Sequence, residues 1–448
     1  MQKFVIEGGT RLEGEVRVSG AKNAAIPILA ATLLADGPCR LHNVPRLRDI
    51  ETMLKILISL GVDVRMRSDG SIETEVVDDR MSTASYDLVS TMRGSVCVLG
   101  PLLARRRKAR VSLPGGCVLG VRPIDLHLKG LRALGAKIDV RHGYVEAECE
   151  KLHGREIYLG GAFGSTVLGT CNVMMAAALA DGITVIENAA CEPEVEDLGN
   201  FLCAMGARIG GAGTPRLYIE GVSKLKGTTH SVIPDRIEAG TFLVGAAITE
   251  GDVTVEGAVP RHLAAPLDLL EAVGATVTRE RDRIRLQMDG RPRSVDVTTL
   301  PYPGFPTDLQ AQFLALLNVG DGISIVTEKV YPDRFMHVAE LNRMGAQIRK
   351  EGPNAIVIGV PELSGAEVMA SDLRASAGLI LAGLRAQGTT EINRIYHLDR
   401  GYENIDEKLA ALGATVRREQ VPSSAPSSLT TVGTGDTSTG FVSGSLSV

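Results

Sequence analysis

The stretch YENIDEKLAALGATV, residues 402–416, decides the fold, because its ending recurs five more times along the 448-residue chain. The variants read LGVDV (60–64), LGAKIDV (134–140), MGARI (205–209), VGATV (273–277) and MGAQI (344–348). Successive glycines of this phrase are 74, 71, 68, 71 and 68 residues apart. A near-constant period of this kind indicates internal repeats.

Each copy of the phrase follows a stretch with helical spacing, so its glycine is expected just past a helix end. A second helical stretch, apolar on nearly all sides, comes earlier in every unit and is expected to be buried. These stretches begin at residues 23, 89, 165, 238, 307 and 375. A strand-like run follows each: CRLHNV, ARVSLPG, ITVIENA, DVTVEGA, ISIVTEK and TEINRIY. The sequence therefore predicts six helix–strand–helix–strand units of about 70 residues.

Six such units favour two globular domains of three units each, with a ligand cleft between them. The hydrophobic content of 44% and the charged content of 23% are typical of soluble globular proteins. A net charge of −5 gives no global indication of nucleic-acid or membrane binding. No signal peptide is recognised, and the apolar run 24–35 is too short to span a membrane. The odd number of cysteines, seven, without a CxxC pair favours reduced cytosolic thiols.

Several common catalytic signatures are absent from the sequence. There is no HExxH, GxSxG or GxGxxG, and the eight histidines lack metal-ligand spacing. Gly115 and Gly120 have the glycine spacing of a P-loop, but Val121 and Arg122 stand where Lys and Ser/Thr belong. A Walker-type NTPase is therefore excluded, and no metal site is predicted.

Basic residues recur at or before the starts of predicted helices, namely Lys22, Arg334, Arg374 and Arg400, and Arg93 interrupts an otherwise apolar predicted helix. A cation beside a helix N-terminus favours an anionic ligand, because unpaired N–H groups add to its charge. Arginine suits bidentate binding of phosphate or carboxylate. The alternative is that each forms an ordinary ion pair.

Two residues stand out as candidates for acid–base chemistry. Cys117 lies in the Gly- and Pro-rich stretch LPGGCVLGVRP (113–123), five residues from Arg122, and a nearby cation would lower its pKa and activate it. Asp308, in FPTDLQAQF (305–313), either caps its helix or acts as a catalytic base. Asp372 and Asp399 are interpreted as arginine partners.

Seven stretches together closely resemble the enolpyruvyl transferases that use UDP-N-acetylglucosamine. They are SGAKNAAIP (19–27), TMRGS (91–95), PGGCVLGVRPIDLH (114–127), FPTDLQAQF (305–313), DRFMHVAEL (333–341), SDLRASAGL (371–379) and YHLDRGYENI (396–405). The resemblance runs from about residue 3 to 418 and follows the family's order. It implies an α/β fold of two inside-out domains, each of three βαβαββ units. The implied domains are 22–231, which carries the Cys117 loop, and 1–21 plus 232–420, followed by a disordered Ser/Thr/Gly/Pro-rich tail at 421–448.

The resemblance also implies an activity: transfer of the enolpyruvyl group of phosphoenolpyruvate to the 3′-hydroxyl of UDP-N-acetylglucosamine, with release of phosphate. Members of the family catalyse the first committed step of peptidoglycan synthesis in the bacterial cytoplasm, without a metal or organic cofactor, and are targets of fosfomycin. The implied ligands are these two substrates, with no nucleic acid and no membrane insertion.

Residue roles carry over position by position. By resemblance, Cys117 is the general acid towards C3 and the site of a covalent phosphoenolpyruvate adduct, and Asp308 is the base that takes the hydroxyl proton. Lys22, Arg122 and Arg400 match the phosphoenolpyruvate cage, and Arg93, Arg334 and Arg374 match other cleft cations. Asp372 and Asp399 resemble the supporting partners. Positions that match contacts to UDP-N-acetylglucosamine are Asn23, Pro123, Ile124, Asp125, Leu126, Gly164, Ser165 and Val330.

One segment departs from the family pattern. Residues 162–166 read AFGST where the family often has SVGAT, so Ala162 replaces a serine, and Gly160 stands where some relatives carry a lysine. Two rival interpretations remain. A sister enzyme acts on shikimate 3-phosphate but lacks the cysteine loop, and a non-catalytic UDP-sugar-binding paralogue would have lost a central Cys, Asp or Arg.

Overall fold

The computed structural model describes residues 2–115 and 124–420. The strands are β1 Gln2–Glu7, β2 Glu13–Arg17, β3 Ala35–Asp36, β4 Cys39–His42, β5 Val62–Met66, β6 Ile72–Val76, β7 Thr83–Ala84, β8 Lys108–Ser112, β9 Lys137–Arg141, β10 Tyr144–Glu148, β11 Glu156–Tyr158, β12 Ile183–Glu187, β13 Arg208–Gly210, β14 Arg216–Glu220, β15 Leu225–Lys226, β16 Thr229–Ser231, β17 Asp252–Glu256, β18 Thr276–Arg279, β19 Arg283–Gln287, β20 Val297–Thr299, β21 Ile323–Glu328, β22 Gln347–Glu351, β23 Asn354–Ile358, β24 Glu367–Met369, β25 Thr389–Asn393 and β26 Thr415–Gln420.

The α-helices are α1 Lys22–Ala31, α2 Arg48–Ser59, α3 Tyr86–Val89, α4 Leu99–Arg106, α5 Asp125–Ala133, α6 Val167–Ala177, α7 Pro193–Ala204, α8 Arg236–Ile248, α9 Ala264–Ala272, α10 Gln310–Leu317, α11 Val338–Arg343, α12 Leu373–Arg385 and α13 Ile405–Ala411. Short 3₁₀ helices span Thr32–Leu34, Arg93–Val98, Pro260–Leu263, Thr307–Leu309 and Ile395–Arg400.

Six four-stranded sheets share one pattern: a parallel pair of strands, followed by two antiparallel pairings. Their orders are β16-β4-β6-β5, β7-β8-β10-β9, β11-β12-β14-β13, β2-β17-β19-β18, β20-β21-β23-β22 and β24-β25-β1-β26. The six repeats and the six strand-like runs predicted from the sequence are therefore confirmed. Each observed unit has two strands more than the predicted helix–strand–helix–strand pattern. One strand comes before the first helix, and a further strand forms a hairpin with the last one.

The repeated glycines explain why the units end alike. Gly61, Gly135, Gly206, Gly274, Gly345 and Gly413 all have positive φ, between 80° and 112°. Each comes two residues after the last residue of an outer helix, namely α2, α5, α7, α9, α11 or α13. In this left-handed conformation glycine avoids the steric penalty that a Cβ would bring. The predicted helix ends are confirmed.

The sheets lie outside and the apolar helices inside, as an inside-out α/β fold requires. All residues of α8 and α10 are buried, and these helices pack with α12 in one core. In the other core, α1 and α4 pack against α6. Along β17, partly exposed residues alternate with fully buried valines, so one face of the strand covers the helices.

One predicted helix is wrong in detail. The apolar stretch 89–104 was expected to form a single helix, but the structure has α3, a 3₁₀ helix at Arg93–Val98 and then α4. Pro101 cannot donate a hydrogen bond to the carbonyl of Cys97, which disfavours a continuous α-helix through both residues. Arg93 consequently opens the 3₁₀ helix instead of interrupting an α-helix.

Two hydrophobic cores follow from this arrangement. One comprises buried residues between 21 and 232, and the other comprises residues between 4 and 18 and between 237 and 414. We therefore propose the domain division expected from the sequence, 22–231 against 1–21 plus 232–420. The segment 421–448 lies outside the described residues.

The chain crosses between the cores at two adjacent points. Ala21 N donates to Ile233 O at 2.7 Å, and Asp235 N donates to Ser19 O at 2.8 Å. At Gly20 an added Cβ would lie 1.7 Å from a backbone oxygen of Asn43, so only glycine fits. These crossings place the starts of α1 and α8 side by side at the boundary between the cores.

Candidate active site

Several inner-helix starts bring charged side chains to the boundary of the two cores. Lys22 is the first residue of α1, and Arg374 is the second residue of α12. Asp308 lies in the 3₁₀ turn that leads into α10. The structure thus places these three sequence-predicted residues together, although they are far apart in the chain.

Asp308 is the carboxylate at the centre of this group. Its Oδ1 accepts from Arg334 Nη1 at 2.8 Å and its Oδ2 from Arg374 Nη2 at 3.1 Å. Asn23 Nδ2, from the other core, lies 3.5 Å from Oδ2. Neither helical start at this turn has a side-chain cap hydrogen bond, so the alternative that Asp308 caps its helix is wrong.

The charges around Asp308 determine its ionisation. Burial disfavours the carboxylate, but the Arg374 and Arg334 guanidinium groups outweigh this effect and hold the pKa of Asp308 well below its usual range. The side chain is 27% exposed, so a ligand in the cleft can reach it. Each oxygen of Asp308 accepts one arginine hydrogen bond and retains a lone pair for a further donor.

A network of buried polar side chains holds the turn that carries Asp308. Gln312 Nε2 lies 3.1 Å from the Asp308 carbonyl oxygen and 3.1 Å from the Tyr402 hydroxyl, which lies 2.8 Å from Thr241 Oγ1. The Arg374 guanidinium lies 5.3 Å from the Tyr402 ring centroid, within the range of a cation–π interaction. Gln312, Tyr402 and Thr241, from three segments of one core, thus fix the positions of Asp308 and Arg374 relative to each other.

Glu328, which sequence reasoning missed, organises the adjacent loop. Its fully buried carboxylate accepts from Thr299 Oγ1 at 2.6 Å, Thr307 Oγ1 at 2.8 Å and the backbone N–H groups of Val330 and Tyr331. Thr307 Oγ1 in turn accepts from Arg334 Nη1 at 3.0 Å. Nothing in the sequence separates this carboxylate from the many solvated ones at strand ends.

Asp49 is a second missed residue. Its Oδ2 accepts from Lys22 Nζ at 3.2 Å, and its Oδ1 accepts from Arg400 Nε at 2.8 Å. Burial lowers the pKa of Lys22, and the Asp49 charge opposes that effect. The sequence Arg48-Asp49 mirrors Asp399-Arg400, but adjacent opposite charges are normally solvated and do not indicate that Asp49 is buried.

The predicted nucleotide contacts lie around the starts of α5 and α6. Asp125 and Leu126 open α5, and Ile124 is its N-cap residue. Gly161 and Gly164 exchange backbone hydrogen bonds of 2.9 and 3.2 Å, and Gly161 lies against Leu126. The next residue, Ser165, precedes α6, whose N-cap residue is Thr166. At Gly164 a Cβ would lie 3.1 Å from Pro301 of the other core, so this turn faces the boundary.

The remaining predicted residues that the structure describes are Asp372, Asp399, Arg93 and Val330. Asp372 accepts from the backbone N–H groups of Arg374 and Ala375 and so caps α12. Asp399 is an arginine partner, but of Arg418 at 2.9 Å and Arg48 at 3.9 Å. Arg93 opens its 3₁₀ helix, and Val330 is held through its N–H by Glu328. Cys117, Arg122 and Pro123 lie outside the described residues.

The arrangement suits a small polyanion. Four cations, Lys22, Arg334, Arg374 and Arg400, converge on two carboxylates, Asp49 and Asp308, which neutralise them only in part. An anionic ligand can replace either carboxylate as their partner. Among residues 2–115 and 124–420, no group of His, Cys, Asp or Glu is arranged to hold a metal ion. No helix in the same ranges is long and apolar enough to cross a membrane.

Comparisons with known proteins agree with this geometry. The family model described as "EPSP synthase (3-phosphoshikimate 1-carboxyvinyltransferase)" matches residues 6–409. Two relatives named UDP-N-acetylglucosamine 1-carboxyvinyltransferase are similar along nearly their whole length. The protein from Anaeromyxobacter dehalogenans (strain 2CP-1 / ATCC BAA-258) is 58% identical over 424 residues, and that from Methylacidiphilum infernorum (isolate V4) is 54% identical over 419 residues. In both cases the alignment covers 93% of this chain and 99% of the relative.

Solved structures show the same fold. The enolpyruvyl transferase NikO from Streptomyces tendae superposes with a TM-score of 0.84 at 25% identity, covering 94% of this chain and 99% of that one. EPSP synthase from Acinetobacter baumannii superposes with a TM-score of 0.73 at 22% identity, covering 94% of this chain and all of that one.

The chain therefore belongs to the EPSP synthase family, and it is a transferase with the two-domain α/β fold of the enolpyruvyl transferases. Within that family it belongs with the proteins named UDP-N-acetylglucosamine 1-carboxyvinyltransferase.

Proposed function

We propose that this chain transfers the enolpyruvyl group of phosphoenolpyruvate to the 3′-hydroxyl of UDP-N-acetylglucosamine and releases phosphate. The observation that carries the proposal is the identity of 54–58% to relatives with that name over nearly their full length. The cleft supplies the charges that the reaction needs, since phosphoenolpyruvate carries both a phosphate and a carboxylate.

The residues divide the chemistry as follows. Lys22 and Arg400, with Arg122 of the Cys117 loop, hold phosphoenolpyruvate, and Arg334 and Arg374 balance charge beside Asp308. Asp308 takes the proton of the sugar hydroxyl as the hydroxyl oxygen forms a bond to C2 of phosphoenolpyruvate. Cys117 gives a proton to C3 in the same step. The C2–O bond to phosphate then breaks, phosphate leaves, and C3 returns a proton to the Cys117 thiolate, which restores the double bond in the product.

The same assignment places the protein in peptidoglycan synthesis, cell-wall biogenesis and cell division in the bacterial cytoplasm. Fosfomycin is then expected to alkylate Cys117. Asn23, Asp125, Leu126 and the Gly164–Ser165 turn are proposed to hold the nucleotide sugar. Ala162 and Gly160 leave the diphosphate dependent on backbone N–H groups near the start of α6.

A direct assay tests the proposal. Purified protein with phosphoenolpyruvate and UDP-N-acetylglucosamine is expected to release phosphate, and fosfomycin is expected to stop the release. Replacing Cys117 by Ser is expected to cripple turnover, whereas Cys117→Asp keeps activity and removes fosfomycin sensitivity. No phosphate release beside an active reference enzyme would overturn the assignment.

A second acceptor deserves a parallel assay, because the matching family model is described by 3-phosphoshikimate. The structural relative named EPSP synthase is only 22% identical, which favours the UDP-sugar. Faster phosphate release with shikimate 3-phosphate than with UDP-N-acetylglucosamine would make shikimate 3-phosphate the preferred acceptor.

A further inference from the structure

Asp49 is a carboxylate that joins the two cores within the cleft. Each of its oxygens holds one cation, Lys22 from its own core and Arg400 from the other. Its side chain is only 6% exposed, so water screens these contacts little. We propose that Asp49 is a positioning residue that keeps Lys22 protonated and holds Arg400 at the cleft, so that both cations are set for phosphoenolpyruvate. The inference rests on the proposed function.

The position of Asp49 on a helix makes it suited to this task. It is the second residue of α2, where a carboxylate is stabilised by the helix N-terminus and its backbone is fixed. Arg400 ends the 3₁₀ helix Ile395–Arg400, which packs against α2. Beside this contact, Arg48 lies 3.9 Å from Asp399. The dipeptide Arg48-Asp49 thus pairs with Asp399-Arg400 across the boundary, each acid with the arginine of the other dipeptide.

Lys22 needs this partner because burial and two neighbouring arginines disfavour its charge. The charged groups that face it are Asp49, Arg374, Arg400 and Asp308. Its backbone N–H also lies 3.4 Å from the Asp235 carboxylate. Burial lowers the pKa of Lys22. The charges of Arg374 and Arg400 lower that pKa further, and the charge of Asp49 is the largest opposing influence.

The sign of the expected effect follows directly. A lysine with a lower pKa loses its proton at lower pH. Removing the Asp49 charge therefore lowers the pH at which Lys22 becomes neutral and its hold on the anionic ligand weakens. Removing the Arg400 charge acts in the opposite direction, because a like charge no longer repels the ammonium group.

The test is the pH profile of kcat/KM for phosphoenolpyruvate at saturating UDP-N-acetylglucosamine, from about pH 6.5 to 9.5, around the ordinary lysine range. We expect Asp49→Asn to move the alkaline limb to lower pH, Asp49→Glu to leave it near the wild-type position, and Arg400→Gln to move it to higher pH. The matched control is Arg48→Gln, which removes the neighbouring boundary pair and should leave the limb in place.

Outcomes that contradict the inference are equally specific. Coincident limbs for wild type and Asp49→Asn, or equal shifts for Asp49→Asn and Asp49→Glu, would overturn it. In a Lys22→Arg background, where the side chain cannot titrate, Asp49→Asn should cause no limb shift in phosphoenolpyruvate binding measured by calorimetry. If Asp49→Asn does not fold, Asp49→Ser takes its place and should show the same downward shift, and an unshifted limb in that variant would overturn the inference. A wild-type protein that releases no phosphate would refute the proposed function itself.

Discussion

Arg374 donates a hydrogen bond of 3.1 Å from Nη2 to Asp308 Oδ2, although the two residues are 66 positions apart. The arginine side chain is 2% exposed, so its charge depends on protein partners rather than on water. A buried cation left without its carboxylate is strongly destabilising. This pair therefore contributes to stability as well as to the proposed chemistry.

Asp308→Asn is expected to lower kcat at least about 100-fold, because an amide cannot take the hydroxyl proton. Phosphate release at saturating substrates is the measurement. Asp321→Asn is a suitable control, since Asp321 is 78% exposed and its contact with Arg291 is long, at 3.5 Å. Retention of more than about a tenth of the activity would mean that another group takes the proton.

The same carboxylate is expected to make the protein acid-sensitive. The pKa of Asp308 is held well below the ordinary 3.8 in the folded chain. Its ionisation therefore stabilises the folded chain fully above that ordinary value, and the contribution is lost as pH falls through the lower folded pKa. Urea unfolding between about pH 5 and 2 should show a steeper loss of stability in wild type than in Asp308→Asn. Equal slopes would show that Asp308 does not titrate with unfolding.

Glu328→Gln is expected to destabilise the fold by about 3 kcal/mol, since a buried charged acceptor with several donors is lost. The amide NH2 would also face a donor. The free energy of unfolding in urea measures the effect, with Glu391→Gln as the control. Glu391 pairs with Lys3 at a partly exposed site, where solvent screening leaves such a pair a small contribution. Similar losses in both variants would contradict the role given to Glu328.

Gly164→Ala tests the turn at the boundary. Gly164 and Gly37 share a φ of +94°, but a Cβ meets Pro301 only at Gly164 and finds open space at Gly37. Both alanine variants should lose about 1 kcal/mol of stability from backbone strain. Only Gly164→Ala should also raise the KM for UDP-N-acetylglucosamine, by several fold, because the turn must move from the other core. An unchanged KM would separate this turn from the substrate cleft.

The repeats could be predicted because each unit carries the same local requirement. A glycine such as Gly413 is needed wherever an outer helix ends, and the buried helices lack any polar face. Lys22 and Arg374 could be predicted because cations at apolar helix starts are unusual. Pro101, in contrast, divides a helix that periodicity alone continues.

Asp49 and Glu328 could not be predicted, for a different reason. A carboxylate at the start of an amphipathic helix or at a strand end is normally solvated. Asp49 is buried because Arg400, 351 residues away, packs over it. Burial of this kind is created by the closing of two domains and has no local signature in the sequence.

The strand β1 lies between β25 and β26, with Gln2 opposite Gln420. A ribosome therefore releases the first strand of the second domain about 400 residues before its neighbours exist. Residues 22–231 can complete their own core meanwhile, whereas the leading segment must remain unpaired. Assembly order is thus fixed by topology, and a chain that stalls before Thr415 leaves an open sheet edge prone to wrong pairing.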